Sequence, residues 1–256
     1  EALRLPLEGM PLDEVRAKQN LDSEIALAAG ASSLIAVNEY EAKQFRAATK
    51  IPVHVLGHSL KAAPTMTPFK ARSDLLFVGL LDHDGSPNTD SLVWFVNEVM
   101  PKLDRLLGKN YKLKVAGRNA SKRVQAHSGP QVELLGSVAD LRSCYESARL
   151  FIAPTRYAAG LPMKVHEAAA FGLPAVTTCL LARQLDWRDG VELLAADRPK
   201  DFAAACSRLY TDEQLWSNVR KEAIRRVEQD CDPVRFRSRI GAILDEAVGI
   251  PTTQVP

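Results

Sequence analysis

With 256 residues the chain is long enough to bury a sizeable core, and its length suits one large domain or two small ones. Apolar residues at 46% and charged residues at 25% are ordinary globular values and argue against long disordered tails. The net charge of +2, with no dense basic run, leaves no electrostatic footprint for a nucleic-acid partner.

In chain order, Pro11 to Ala29 has helical spacing closed by Gly30, Ser33 to Val37 reads as a buried strand, Glu39 to Ala48 as a helix and Pro52 to Leu56 as a strand. These two strand and helix pairs are expected to have no sheet of their own. Residues 59–72, with Pro64, Pro68 and several hydroxyl side chains, read as a linker. The expected domains are therefore 1–70, a small α/β portion with its linker, and 71–256.

The second domain alternates regularly. Strands are expected at Leu75–Leu80, Leu113–Ala116, Val132–Leu135, Leu150–Ala153, Ala175–Thr178 and Val191–Ala195. Helices are expected at Asn88–Leu107, Ser121–His127, Leu141–Ala148 and from Pro162 to Gly172, the latter a left-handed stop. Three amphipathic helices, 199–210, 213–228 and 233–248, form a carboxy-terminal tail. Short continuous apolar runs divided by helices predict an α/β fold with a doubly wound parallel sheet covered on both faces.

In such a sheet the ligand crevice lies beyond the carboxyl ends of the strands. The residues there are Gly79 and the turn into Asn88, then Gly117 and Arg118, then Gly136, Ser137 and Val138, then Pro154, Thr155 and Arg156. Glycine at three strand ends would let a ligand approach the backbone, and arginine at two would offer it charge. Lys164 is the anomaly: a cation in a first helical turn opposes the dipole unless an anion sits there. Glu167, one turn deeper, either accepts from a ligand hydroxyl or pairs with Lys164 for about 0.2–0.5 kcal/mol. His58, His83 and His166 are expected to play no part in chemistry.

Several classes are unsupported. No strand is followed by G-x-G-x-x-G or G-x-x-x-x-G-K-[ST], and G-x-S-x-G is absent, which removes dinucleotide, Walker-type and nucleophile-elbow sites. Cys144, Cys179, Cys206 and Cys231 have no metal-ligand spacing and are expected as reduced, buried thiols. With no apolar run of bilayer length and no signal-peptide pattern, a cytoplasmic location is expected. The chain begins at Glu1 and is expected to be part of a longer protein.

The run Leu75-Leu76-Phe77-Val78-Gly79, then Pro87-Asn88, Asp90 and Trp94-Phe95, then Val115-Ala116-Gly117-Arg118-Asn119, then Leu135-Gly136-Ser137-Val138 resembles a GT-B glycosyltransferase. With Ala153-Pro154-Thr155-Arg156, Gly160, Lys164, Glu167-Ala168 and Gly172-Leu173-Pro174, the chain is more narrowly similar to the carboxy-terminal, nucleotide-sugar-binding, Rossmann-like domain of glycosyltransferase family 4. Residues 33–58 resemble the end of the acceptor-side domain.

The resemblance implies transfer of a hexose-type sugar from a nucleoside-diphosphate sugar to a glycan or lipid-linked acceptor, as in polysaccharide biosynthesis. It implies retention of configuration, no metal and no cofactor beyond the nucleotide-sugar co-substrate. Any peripheral membrane contact would run through sequence outside this chain. Arg156 and Lys164 would face the diphosphate as the catalytic cations, Glu167 would take the ribose hydroxyls, and Gly136 to Val138 would lie near the base. Gly79, Asn88, Gly117, Arg118, Thr155 and Gly160 would complete the donor site. Many family members carry a second glutamate eight positions before the first, where this chain has Ala159. That departure leaves open a non-catalytic nucleotide-sugar-binding or docking module; a third alternative is a sugar-nucleotide epimerase on the same fold.

Overall fold

The computed structural model describes residues 22–248 apart from Glu24 and Ala159. Most of the helix expected over 11–29 thus lies outside the described residues, as does the position of the missing glutamate. The chain forms two compact units, one of Glu1–Lys61, Tyr157–Leu161 and Gln229–Pro256, the other of Ala62–Arg156 and Pro162–Glu228.

In the first unit, β1 (Leu34–Ala36) leads into α1 (Glu39–Ala48), capped by the Asn38 side chain, which accepts from the Glu41 N–H. The chain returns through β2 (Val53–Val55) parallel to β1, pairing Leu34 with Val53 and Ala36 with Val55. The expectation that these strands lack a sheet is therefore corrected: α1 acts as a crossover, and a crossover brings the second strand back parallel to the first.

The second unit begins with a segment tied to its own core. The Ala63 and Thr65 N–H groups donate to the carbonyls of Ala170 and Phe171. Arg72 is almost fully buried, donating through Nε to the Thr67 carbonyl, through Nη1 to those of Tyr145 and Ala148, and through Nη2 to Thr65 Oγ1. Its guanidinium lies over the Trp216 ring.

From there the elements alternate: β3 (Ser73–Val78), α2 (Pro87–Trp94), α3 (Met100–Leu107), β4 (Leu113–Ala116), α4 (Lys122–Gln125), β5 (Val132–Gly136), α5 (Arg142–Ser147) and β6 (Ala148–Ala153). They continue as α6 (Met163–Ala170), β7 (Ala175–Thr177), α7 (Cys179–Leu185), β8 (Leu194–Ala195), α8 (Pro199–Thr211) and α9 (Glu213–Asp230). The last helix, α10 (Pro233–Ala247), is capped by Asp232 and groups with the first unit, whereas the sequence reading drew 71–256 as one domain.

Six parallel strands stand in the order β5-β4-β3-β6-β7-β8. Side chains alternate across the sheet: Leu75, Phe77, Leu150 and Ile152 join the core under α3 and α8, where Phe202 meets Trp94 and Phe95 edge-on. On the other face, Phe151 packs with Tyr145, which stacks on Phe171. No described helix is long and apolar enough to cross a membrane.

Three local expectations change. The single helix over 88–107 is broken by a π-type turn at Phe95–Val99, in which the Met100 N–H donates to the Phe95 carbonyl. This widening precedes Pro101, whose ring and missing N–H do not fit an unbroken α-helix. The final strand shrinks to Leu194–Ala195, and α7, whose buried Leu181, Ala182 and Leu185 follow helical spacing, was not anticipated. Pro162 stands at the N-cap of α6 rather than in its first helical position. The stop of α6 is as expected: Gly172 has φ 71°, its N–H donates to Ala169, and the Leu173 N–H reaches back to Ala168.

Gly117 has a structural reason that its place at a strand end did not reveal. With φ at 128°, a Cβ there would stand 2.0 Å from the Gly79 carbonyl oxygen. The backbone of β3's end fills the space that a side chain would take. Gly117→Ala is expected to destabilise the protein by at least about 1–3 kcal/mol, the cost of a strained backbone conformation before any displacement of β3 is counted; urea unfolding measures it.

Candidate active site

The strand order reverses between β3 and β6, which pair directly through Leu75 and Leu150. In doubly wound sheets the connections leaving such a pair of strands diverge to opposite sides, and the ligand crevice forms at their carboxyl ends. Beyond β3 the chain turns into α2, whose N-cap Ser86 accepts from the Thr89 N–H at 3.1 Å and whose first position is Pro87. Beyond β6 it passes Thr155 and Arg156, and re-enters the unit at α6.

Both candidate cations meet the first turn of α2. Lys164 Nζ donates to Asn88 Oδ1 at 2.5 Å and lies 5.2 Å from the Phe77 ring centroid. Asn88 is itself aimed, since its Nδ2 donates to the Leu80 carbonyl at 3.1 Å. Gly79 makes room for that amide: a Cβ there would press on the Asn88 side chain at 3.0 Å. Arg156 donates through Nε and Nη2 to the two carboxylate oxygens of Asp90, at 3.0 and 2.5 Å, with its guanidinium over Trp94.

Lys164 sits in the first turn of α6, a helix with no side-chain cap, and turns to Asn88 rather than to Glu167. Burial of the ammonium lowers its pKa to about 8. Lys164 is half-buried, and an anion at the amino end of α6 would offset the repulsion between its ammonium and the helix dipole. Glu167, half-buried, accepts from the Tyr145 hydroxyl at 3.5 Å. Burial and the nearby Glu167 push the Tyr145 phenol upward.

The other predicted residues divide. Thr155 lies between β6 and Arg156 with its hydroxyl buried and unpartnered, while its carbonyl accepts from Thr178 Oγ1 at 2.6 Å. Gly136 ends β5 at the sheet edge, its carbonyl accepting from the Gly117 N–H, with Ser137 exposed and Val138 half-buried beyond it. Arg118 is exposed and paired with Asp82, holding that carboxyl below its ordinary range. Gly160 falls in the first unit, where its N–H donates to Glu41 and its carbonyl accepts from Asn38. His83 is exposed, and His166 is buried against Trp187. Cys144, Cys206 and Cys231 are buried free thiols and Cys179 is half-exposed. Asp90 stands in the sequence only as part of the family-like run and not as a site residue; a carboxylate in a first helical turn already has a sufficient reason in the dipole.

The profile of a family described as Glycosyl transferases group 1 matches residues 72–212, more than half of the chain and the whole of this crevice. The chain belongs to that family. Among solved structures, this family member is similar to TarM of S. aureus, with a TM-score of 0.71 over 88% of this chain at 14% identity. It is also similar to HepE of Anabaena, solved with UDP-glucose, at 0.72 over 89% and 17% identity. Sucrose-phosphate synthase of Thermosynechococcus elongatus gives 0.68 over 91% at 16% identity. At such identities the likeness shows the fold, that of the GT-B glycosyltransferases. The chain spans 46% of TarM, 63% of the synthase and 68% of HepE. No curated protein sequence matches it.

The Lys164 environment makes a stability prediction. An unfolded lysine titrates near 10.4, so between pH 8 and that value the native state sheds a proton that the unfolded chain keeps, and parental stability rises with pH. Lys164→Met is therefore expected to be no less stable than the parent at pH 7, with its relative stability falling as pH climbs from about 8 to 10. Denaturant titrations across that range test it.

Proposed function

We propose that this family member transfers a sugar, with retention of configuration, from a nucleoside-diphosphate sugar to a glycan or lipid-linked acceptor. The observation carrying the proposal is the convergence of Arg156 and Lys164 on the first turn of α2 at the reversal point of the sheet. As the anomeric carbon–oxygen bond breaks, the electron pair leaves with the diphosphate, which gains negative charge. Cations and uncapped helix N–H groups placed at that group stabilise the transition state more than the ground state.

In this reading Arg156, Lys164 and the amino end of α6 receive the diphosphate, in place of a metal ion. Glu167 accepts from the ribose hydroxyls, and the backbone from Gly136 to Val138 borders the base. The two strands between β5 and β6 separate these places by roughly 14 Å at the usual strand spacing, a span suited to an extended nucleotide. HepE was solved with UDP-glucose, which makes uridine nucleotides the first ligands to try.

A hydrogen bond to a charged group contributes roughly 1.5–3 kcal/mol, and about 1.4 kcal/mol is tenfold in affinity. Lys164→Ala and Arg156→Ala are each expected to weaken UDP binding about ten- to a hundredfold while leaving uridine nearly unaffected, as read by calorimetry. Parental UDP affinity in Lys164→Ala would reduce α6 to a packing element. Glu167→Gln is expected to cost a ribonucleotide more affinity than its 2′-deoxy analogue; equal losses would remove Glu167 from the ribose.

A further inference from the structure

The carboxylate of Asp90 poses a difficulty for any anion site. It stands at the mouth of the crevice, on the turn that also receives Lys164, where an unpaired negative charge would repel a diphosphate. Yet both of its oxygens are committed to one edge of Arg156, the Nε and Nη2 edge, in the side-by-side geometry that fixes a guanidinium most firmly. The Trp94 ring lies against the guanidinium, with its centroid 5.8 Å from Cζ. Nη1 has no partner among the described residues, and it lies on the edge that Asp90 leaves open.

We propose that Asp90 is a positioning residue for the diphosphate clamp: it holds Arg156 by one edge so that the other is presented, already oriented, to the leaving diphosphate. This rests on the clamp reading above. Asn88 does the same for Lys164, its amide being anchored on the Leu80 carbonyl. The first turn of α2 thus sets two side chains that arrive from beyond β6, one through an amide and one through a carboxylate two residues later. Ordering a long arginine costs rotamer entropy, and a clamp ordered before the ligand arrives leaves more of the interaction for binding.

Asp90 would stand in a first helical turn on dipole grounds alone, so the test must separate helix stability from arginine positioning. Calorimetric titrations of UDP and uridine are run on the parent, Asp90→Asn, Arg156→Ala and the double variant. Asp90→Asn is expected to bind UDP about tenfold more weakly, the equivalent of one weakened charge-assisted hydrogen bond, and uridine within about twofold of the parent. In the Arg156→Ala background the same substitution is expected to change UDP affinity by less than about twofold, because the group it positions is gone. Asp90→Asn binding UDP as tightly as the parent or more tightly would overturn the proposal, as would an undiminished loss in the Arg156→Ala background. If Arg156→Ala itself binds UDP like the parent, the clamp reading has failed and the proposal falls with it, which is a different pattern. In the free protein, the Arg156 Nε–Hε proton should exchange slowly with water and quickly in Asp90→Asn; equal rates would also overturn it.

Discussion

The direct pairing of β3 with β6 is the constraint on which the second unit depends. Three strands lie to one side of that junction and three to the other, each set laid down by crossovers of one hand, so the loops leaving the two central strands must part. No crossover can roof that gap without breaking the hand of the fold. What stands at that gap is decided by the connections that follow Val78 and Ala153, which carry Asn88, Asp90, Arg156 and Lys164.

The opposite end of the same two strands is closed with equal economy. Arg72 lies just before β3 and reaches the carbonyls of Tyr145, in α5, and of Ala148, at the start of β6. Burial lowers its pKa to about 10, still far enough above neutrality to keep the guanidinium charged. Arg149, at the start of β6, donates to the Arg72 carbonyl and lies over the Phe69 and Tyr210 rings. A planar cation suits both tasks, since its edge satisfies carbonyls while its face meets an aromatic ring. The closed end gives the open end a rigid base.

Much of this was legible in the sequence because it is local. Alternating apolar runs and helical spacings reveal the parallel sheet, Gly172 and Pro174 mark the end of α6, and a lysine in a first turn is conspicuous without any fold. The unreadable parts are pairings between distant residues. Asp90 and Arg156 are 66 positions apart, and Asn88 and Lys164 are 76 apart; no periodicity connects them. The structural reason for Gly117 is hidden for a related cause, since the backbone that excludes a side chain there belongs to a neighbouring strand. The same holds for β1 and β2, each too short to announce a partner. Buried Arg72 was hidden in a stretch that reads as a linker, because composition describes how freely a segment could move and not what it is fastened to.

The charge balance around the first turn of α2 bears on how an anion would be met there. Arg156 is matched by Asp90, Arg118 by Asp82, and Lys164 has an ammonium that gives up its proton near pH 8. The two ion pairs project little net field of their own, and below about pH 8 the attraction for a passing anion comes mainly from Lys164. Long-range attraction is what ordinary salt screens beyond about 8–10 Å. With Arg156 and Arg118 each neutralised in a pair, an anion reaching these side chains would be distinguished more by contact geometry than by long-range charge.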